Sequence, residues 1–139
     1  MTGYSGTPLA KKLGIKAGFD VWTAGAPAGF VDLLAPLPPD VNLMEGDHPD
    51  ADMAIVFATS RSEIEARFSA AMERISPDGA IWVAWPKRSS GVPTDLTGDT
   101  MRELFLPTGM VDNKVCAIDQ TWSGLRFVVR KENRAGWNL

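Results

Sequence analysis

The chain has 139 residues, 45% of them hydrophobic and 22% charged, with a formal charge of -3. That length suits a single domain spanning 1–139, able to bury roughly two-thirds of its unfolded surface. Residues 1–70 carry 5 basic and 9 acidic groups (-4) and residues 71–139 carry 9 and 8 (+1), so no concentrated basic footprint exists and nucleic-acid binding is not expected.

The first residues, Met-Thr-Gly-Tyr-Ser-Gly-Thr-Pro, lack a basic region followed by an apolar core, and no apolar run approaches the ~18 residues that span a bilayer. Neither export nor membrane insertion is expected. Thr7-Pro8 reads as a helix start, with threonine as cap and proline at the first helical position, and Leu9 and Leu13 share a face before Gly14. Phe19 to Ala24 is strand-like and runs into Gly25-Ala-Pro-Ala-Gly29, after which Phe30, Leu33 and Leu34 recur at helical spacing until Pro36. Val41–Met44 and Met53–Ala58 read as two further short strands. Ser60 and Ser62 each have a glutamate three residues on, Glu63 and Glu65, so either completes a capping box for a helix whose apolar stripe is Ile64, Phe68, Ala71, Met72 and Ile75.

Asp78-Gly-Ala-Ile-Trp-Val-Ala-Trp-Pro-Lys87 is the stretch around which the rest is organised. A strand covered by helices on both faces reads as unbroken apolar sequence, and this run, bounded by Pro-Asp-Gly and Pro86, fits a central strand. Residues 88–98 are loop by composition, and Met101, Leu104 and Phe105 define a helix ended by Pro107 and Gly109. Val111–Asp119 and Gly124–Arg130 form a hairpin around Gln-Thr-Trp-Ser, and the tail 132–139 is expected to fray, with Trp137 the one residue able to dock. Cys116 is the only cysteine. It excludes an internal disulfide, argues against a thiolate zinc site and points to a reducing cytoplasm.

Strands alternating with helices imply right-handed crossovers and a parallel sheet, and such sheets bind ligands beyond the carboxyl ends of their strands. The expected lining is therefore Gly25, Ala26, Pro27 and Gly29 after the first strand, Glu45 after the second, Thr59 and Ser60 after the third and Lys87 after the central one. The two glycines let backbone approach a ligand closely, yet the turn lacks both the third glycine of G-x-G-x-x-G and the Lys-Ser/Thr of a P-loop, so a plain strand-helix turn fits it equally. Glu45 stands where a carboxylate accepts ribose hydroxyls; a solvated loop acid is the simpler reading. His48 lies among Asp47, Asp50 and Asp52, but one imidazole without helical or strand spacing does not make a metal site, and no metal is expected. No nucleophilic constellation is visible, and Cys116 reads as core. Trp22, Trp82 and Trp85 read as core mass, and Trp122 in the hairpin turn as a cap on a pocket or interface. Lys87, Asp119, Trp122 and Ser123 belong together because a parallel fifth strand would end beside Lys87.

The order of glycine turn, acid, Pro-Asp-Gly before the central strand and terminal hairpin resembles a trimmed class I S-adenosylmethionine-dependent methyltransferase. That resemblance implies a Rossmann-like α/β fold in three layers, a mostly parallel sheet of order 2-1-3-4-6-5 with strand six antiparallel, and S-adenosylmethionine (SAM) or a nucleotide as the small-molecule ligand. Thr59-Ser60 stand where amino-group methyltransferases have Asn/Asp-Pro-Pro, so the resemblance assigns no catalytic residue. Residues 4–15, Tyr-Ser-Gly-Thr-Pro-Leu-Ala-Lys-Lys-Leu-Gly-Ile, and 112–127, Asp-Asn-Lys-Val-Cys-Ala-Ile-Asp-Gln-Thr-Trp-Ser-Gly-Leu-Arg-Phe, are similar to a bacterial domain-of-unknown-function family, which implies kinship without an activity. Three functions are open at this point: a small-molecule-binding domain, a ligand-free protein–protein interaction module on the same fold, and an active small methyltransferase. An end strand with unpaired backbone groups beside Trp122 also predicts a homodimer.

Overall fold

The structure is a computed structural model and describes residues 7–47 and 50–137. Its elements are α1 (Leu9–Leu13), β1 (Asp20–Ala24), α2 (Phe30–Leu34), β2 (Asn42–Met44), β3 (Ala51–Phe57), α3 (Arg61–Met72), β4 (Ile75–Pro86), α4 (Gly98–Phe105), β5 (Met110–Ala117) and β6 (Trp122–Val129), with 3-10 turns at Arg88–Ser90, Leu106–Thr108 and Lys131–Gly136. One sheet runs β2-β1-β3-β4-β6-β5, the order the methyltransferase resemblance implies. The first four strands are parallel and β6 is antiparallel to both its neighbours, so the chain is an α/β domain of the Rossmann-like type.

Alternation of side chains along β3 and β4 divides the core in two. Ala54, Val56, Ile81 and Val83 face α3 and α4, where Phe68 and Phe105 stack with centroids 3.8 Å apart. Met53, Ile55, Phe57, Trp82 and Ala84 face α1 and α2. Trp82 is fully buried and its indole N–H donates to the Leu13 carbonyl at 2.9 Å, which ties the short leading helix to the central strand. Gly14 closes that helix in the left-handed region, φ 87°, where only glycine sits without steric cost.

Several boundaries differ from the expectation. Pro8, not Thr7, is the cap residue of α1. Ile75 is not on the stripe of α3: the helix stops at Met72, and Ile75 opens β4, paired with Ala51. Pro77-Asp-Gly79 lies inside β4 as an irregularity, because the one residue of β3 between Ala51 and Met53 opposes the four of β4 between Ile75 and Ala80. Trp122 is not in the hairpin turn but opens β6 opposite Pro86, half-buried and edge-on to Phe57 with centroids 5.2 Å apart. Of the tail expected to fray from 132 with Trp137 able to dock, residues 131–136 form a 3-10 turn and Trp137 packs against the α3/α4 side of the core. The Asn133 amide donates to the Gly109 carbonyl at 3.0 Å and the Arg134 guanidinium to the Val129 carbonyl at 3.2 Å, which together with the indole offset part of the ordering entropy.

Candidate functional site

All five parallel-running strands end along one edge of the sheet, and two hollows open there. The first, about 370 Å³, lies between the ends of β1 and β2 and the start of α2 and is lined by Thr23, residues 26–32, Leu34, Leu43 and Glu45. Ala26, Pro27, Gly29 and Glu45 are thus together, as the topology predicts. Gly29 precedes α2 at φ 85° with open space where a side chain would stand. Thr23 is the one buried polar residue among those described, 8% exposed. The polar groups of this lining are hydroxyl and carboxylate: Asp32 and Glu45 carry the charge, and no basic residue contributes.

Gly25 does not line this hollow. It follows β1 at φ 71°, and a side chain there would meet the Arg67 guanidinium at 2.5 Å and the Phe57 carbonyl at 2.7 Å. Arg67 reaches up from α3, donates to the Phe57 carbonyl and approaches Glu63 at 3.9 Å. The glycine at 25 therefore makes room for an arginine that closes the crevice between β1 and β3, the point where the winding of the sheet reverses.

Thr59 and Ser60 are not in either hollow. The Ser60 hydroxyl accepts the Glu63 N–H at 3.3 Å, and the Glu63 carboxylate accepts both the N–H and the hydroxyl of Thr59 at 3.2 Å. This is the reciprocal cap that begins α3, with the return bond made to Thr59. The Thr59 N–H, chief among these bonds, holds the Glu63 carboxyl below its usual range. The Thr59 carbonyl accepts the Thr94 hydroxyl at 2.6 Å, so this turn braces the loop that walls the second hollow.

That second hollow, about 490 Å³, lies between the end of β4, the start of β6 and the loop leading into α4, and includes Lys87 and Ser123. The Lys87 ammonium donates to the Asp119 carbonyl at 2.7 Å, and the Asp119 carboxylate accepts the N–H groups of Thr121 and Trp122. Lys87, Asp119, Trp122 and Ser123 are brought together as the topology implies, with Asp119 holding the turn. Cys116 is buried; burial pushes its thiol up, against the pull of Lys12, Lys114 and Lys87.

His48 lies outside the described residues. Asp47 pairs with Arg74 at 3.3 Å and Asp52 accepts the Asp20 N–H at 2.8 Å, and among the described residues no group of three His, Cys, Asp or Glu is placed to hold a metal. No described helix is long and apolar enough to cross a membrane. Sequence reasoning missed Arg67, four residues after Glu63 and marked by no motif, and missed the loop 88–98 as a wall.

Solved structures similar to this chain include SAM-dependent methyltransferases. A SAM-dependent methyltransferase from Aquifex aeolicus superposes with a TM-score of 0.61 at 12% identity over 87% of this chain and 88% of that one. The fold is methyltransferase-like. A TehB-like SAM-dependent methyltransferase from Corynebacterium glutamicum gives 0.55 at 11% identity over 92% and 90%, and the DhpI–SAH complex gives 0.60 at 12% over 86% and 82%. No protein-family model and no curated protein matches the chain. At such identities the methyltransferase-like fold is what is shared.

Proposed function

We propose that the protein binds a SAM-type adenosyl ligand in the hollow between β1, α2 and β2. One observation carries the reading: the hollow sits at the carboxyl ends of the strands, its charged lining is Asp32 and Glu45 with no cation, and the Glu45 carboxylate makes no hydrogen bond or ion pair among the described residues. Free carboxylates suit ribose hydroxyls and a positively charged ligand, whereas a polyphosphate brought against two acids is repelled. SAM and its demethylated product S-adenosylhomocysteine are therefore expected ahead of ATP or NAD. The methyltransferase-like fold supports this choice, and the DhpI complex is named for SAH.

A second reading, an interaction module without ligand, draws on Arg67, which occupies the crevice between β1 and β3 where the winding rule puts a ligand. Calorimetric titration separates the two. Wild type is expected to bind SAM or S-adenosylhomocysteine with a Kd no weaker than about 1 mM, and Ala28→Trp, at an exposed position of the lining, to abolish binding with the circular dichroism spectrum unchanged. No heat from either ligand, or equal binding by the variant, would remove the proposal.

A further inference from the structure

The hollow at the end of β4 has the opposite chemistry from the one beside β1, and nothing in the reading above uses it. Its lining contains two cations, Lys87 and Arg88, and no carboxylate. Among the described residues the Arg88 side chain makes no ion pair or hydrogen bond, and it is exposed. Lys87 gives one donor to the Asp119 carbonyl, which fixes the ammonium and leaves two of its three donors for a ligand. In a chain of net charge -3, two basic residues in one hollow whose lining holds no acid concentrate positive potential there.

The walls are apolar and held in place. Trp85, Pro86, Pro93 and Leu96 contribute carbon surface. The Arg88–Ser90 turn is closed by the Ser90 hydroxyl, which donates to the Lys87 carbonyl at 2.7 Å and accepts the Val92 N–H at 3.1 Å. The Thr94 hydroxyl fixes the far side by donating to the Thr59 carbonyl and accepting the Leu96 N–H. Gly98, also in the lining, opens α4, so its N–H has no acceptor within the helix, and a Cβ there would stand 3.8 Å from both the Trp85 ring and the Arg102 guanidinium. The acids nearest in sequence are engaged elsewhere: Asp95 accepts the Arg61 N–H at 3.1 Å and Asp99 pairs with Arg102 at 3.4 Å.

We infer that this hollow is a second, separate binding site, for a small organic anion with a flat apolar body: the carboxylate or phosphate lies on Arg88, Lys87 and the Gly98 N–H, and the body lies against Trp85 and Pro93. Arginine presents a planar fork that matches either oxyanion. The volume, about 490 Å³, is of the size that encloses small ligands.

The test is a titration of the isotope-labelled full chain, followed by amide chemical shifts, with four probes: benzoate, phenyl phosphate, inorganic phosphate and phenethylammonium. Both aryl anions are expected to shift amides of residues 85–98 and of Ser123 and to leave those of residues 23–32 in place. Inorganic phosphate should bind more weakly than phenyl phosphate, and phenethylammonium should not bind. Arg88→Glu, at an exposed position, should weaken phenyl phosphate about tenfold, a lost attraction combined with a new repulsion. Val92→Trp, in the exposed loop, should block the aryl anions by filling the hollow. Shifts confined to the β1 side, an equal response to the ammonium probe, or an Arg88→Glu variant that binds as wild type would each overturn the inference. These outcomes are independent of whether SAM binds beside β1.

Discussion

Two hollows on one sheet edge differ in the sign of their charge: the β1–β2 side offers Asp32 and Glu45, and the β4–β6 side offers Lys87 and Arg88. Between them in the order of the sheet stand the ends of β1 and β3, closed by Gly25, Phe57 and Arg67. The lesson is that one sheet edge can be divided by a side chain from a helix. The winding rule names the β1–β3 crevice as the ligand position, but Arg67 fills it, and the free space lies to either side.

The division can be broken most severely at Phe57. Its ring is fully buried against Phe30 (4.8 Å) and Trp122 (5.2 Å), and its carbonyl anchors Arg67, so Phe57→Ala should cost about 3–5 kcal/mol in chemical denaturation and disturb both hollows at once. The two glycines of the first turn give the next contrast. Gly25→Ala combines a left-handed backbone with a collision against the Phe57 carbonyl, a backbone atom that cannot step aside, and should cost about 3 kcal/mol. Gly29→Ala meets nothing within 4 Å and should cost only the left-handed strain, about 1–2 kcal/mol. Equal losses at the two positions would mean that Arg67 does not press on Gly25.

Arg67→Ala removes a charged donor from the Phe57 carbonyl at a site one-third exposed and is expected to cost about 1 kcal/mol. It should leave SAM affinity unchanged if the β1 hollow ends at this wall; a marked change in Kd would show that the two spaces communicate. The smallest effect belongs to Glu63. Its folded pKa lies below the ordinary value of 4.5, so the unfolded chain binds more protons in that range. The resulting stability is fully present above about pH 4.5 and is lost as pH falls through the lowered folded value. Glu63→Gln should flatten this part of the pH dependence of the denaturation midpoint, and an unchanged slope would assign it to other carboxylates.

Pattern and punctuation carry much of this. The unbroken run Ala80–Ala84 has to be a strand buried on both faces, because alternate side chains leave on opposite sides and all are apolar. The glycine turn, the Ser60 cap and the alternation of strand and helix then imply parallel strands joined by right-handed crossovers, while the order of the strands is what the methyltransferase resemblance implies. Residues 26, 27, 29 and 45 meet because strand ends in a parallel sheet share an edge. What the sequence left undetermined depends on contacts between residues far apart in the chain. The Thr59 carbonyl takes the Thr94 hydroxyl from 35 positions later, and that contact makes a helix cap into a brace for the loop walling the second hollow. Trp122 enters the sheet opposite Pro86, because pairing a strand end with the central strand satisfies backbone groups that a turn would expose. A glycine reads the same whether it faces a ligand or makes room for a side chain, and only the fold, by bringing Arg67 from 42 positions later in the chain to Gly25, determines that here it makes room for a side chain.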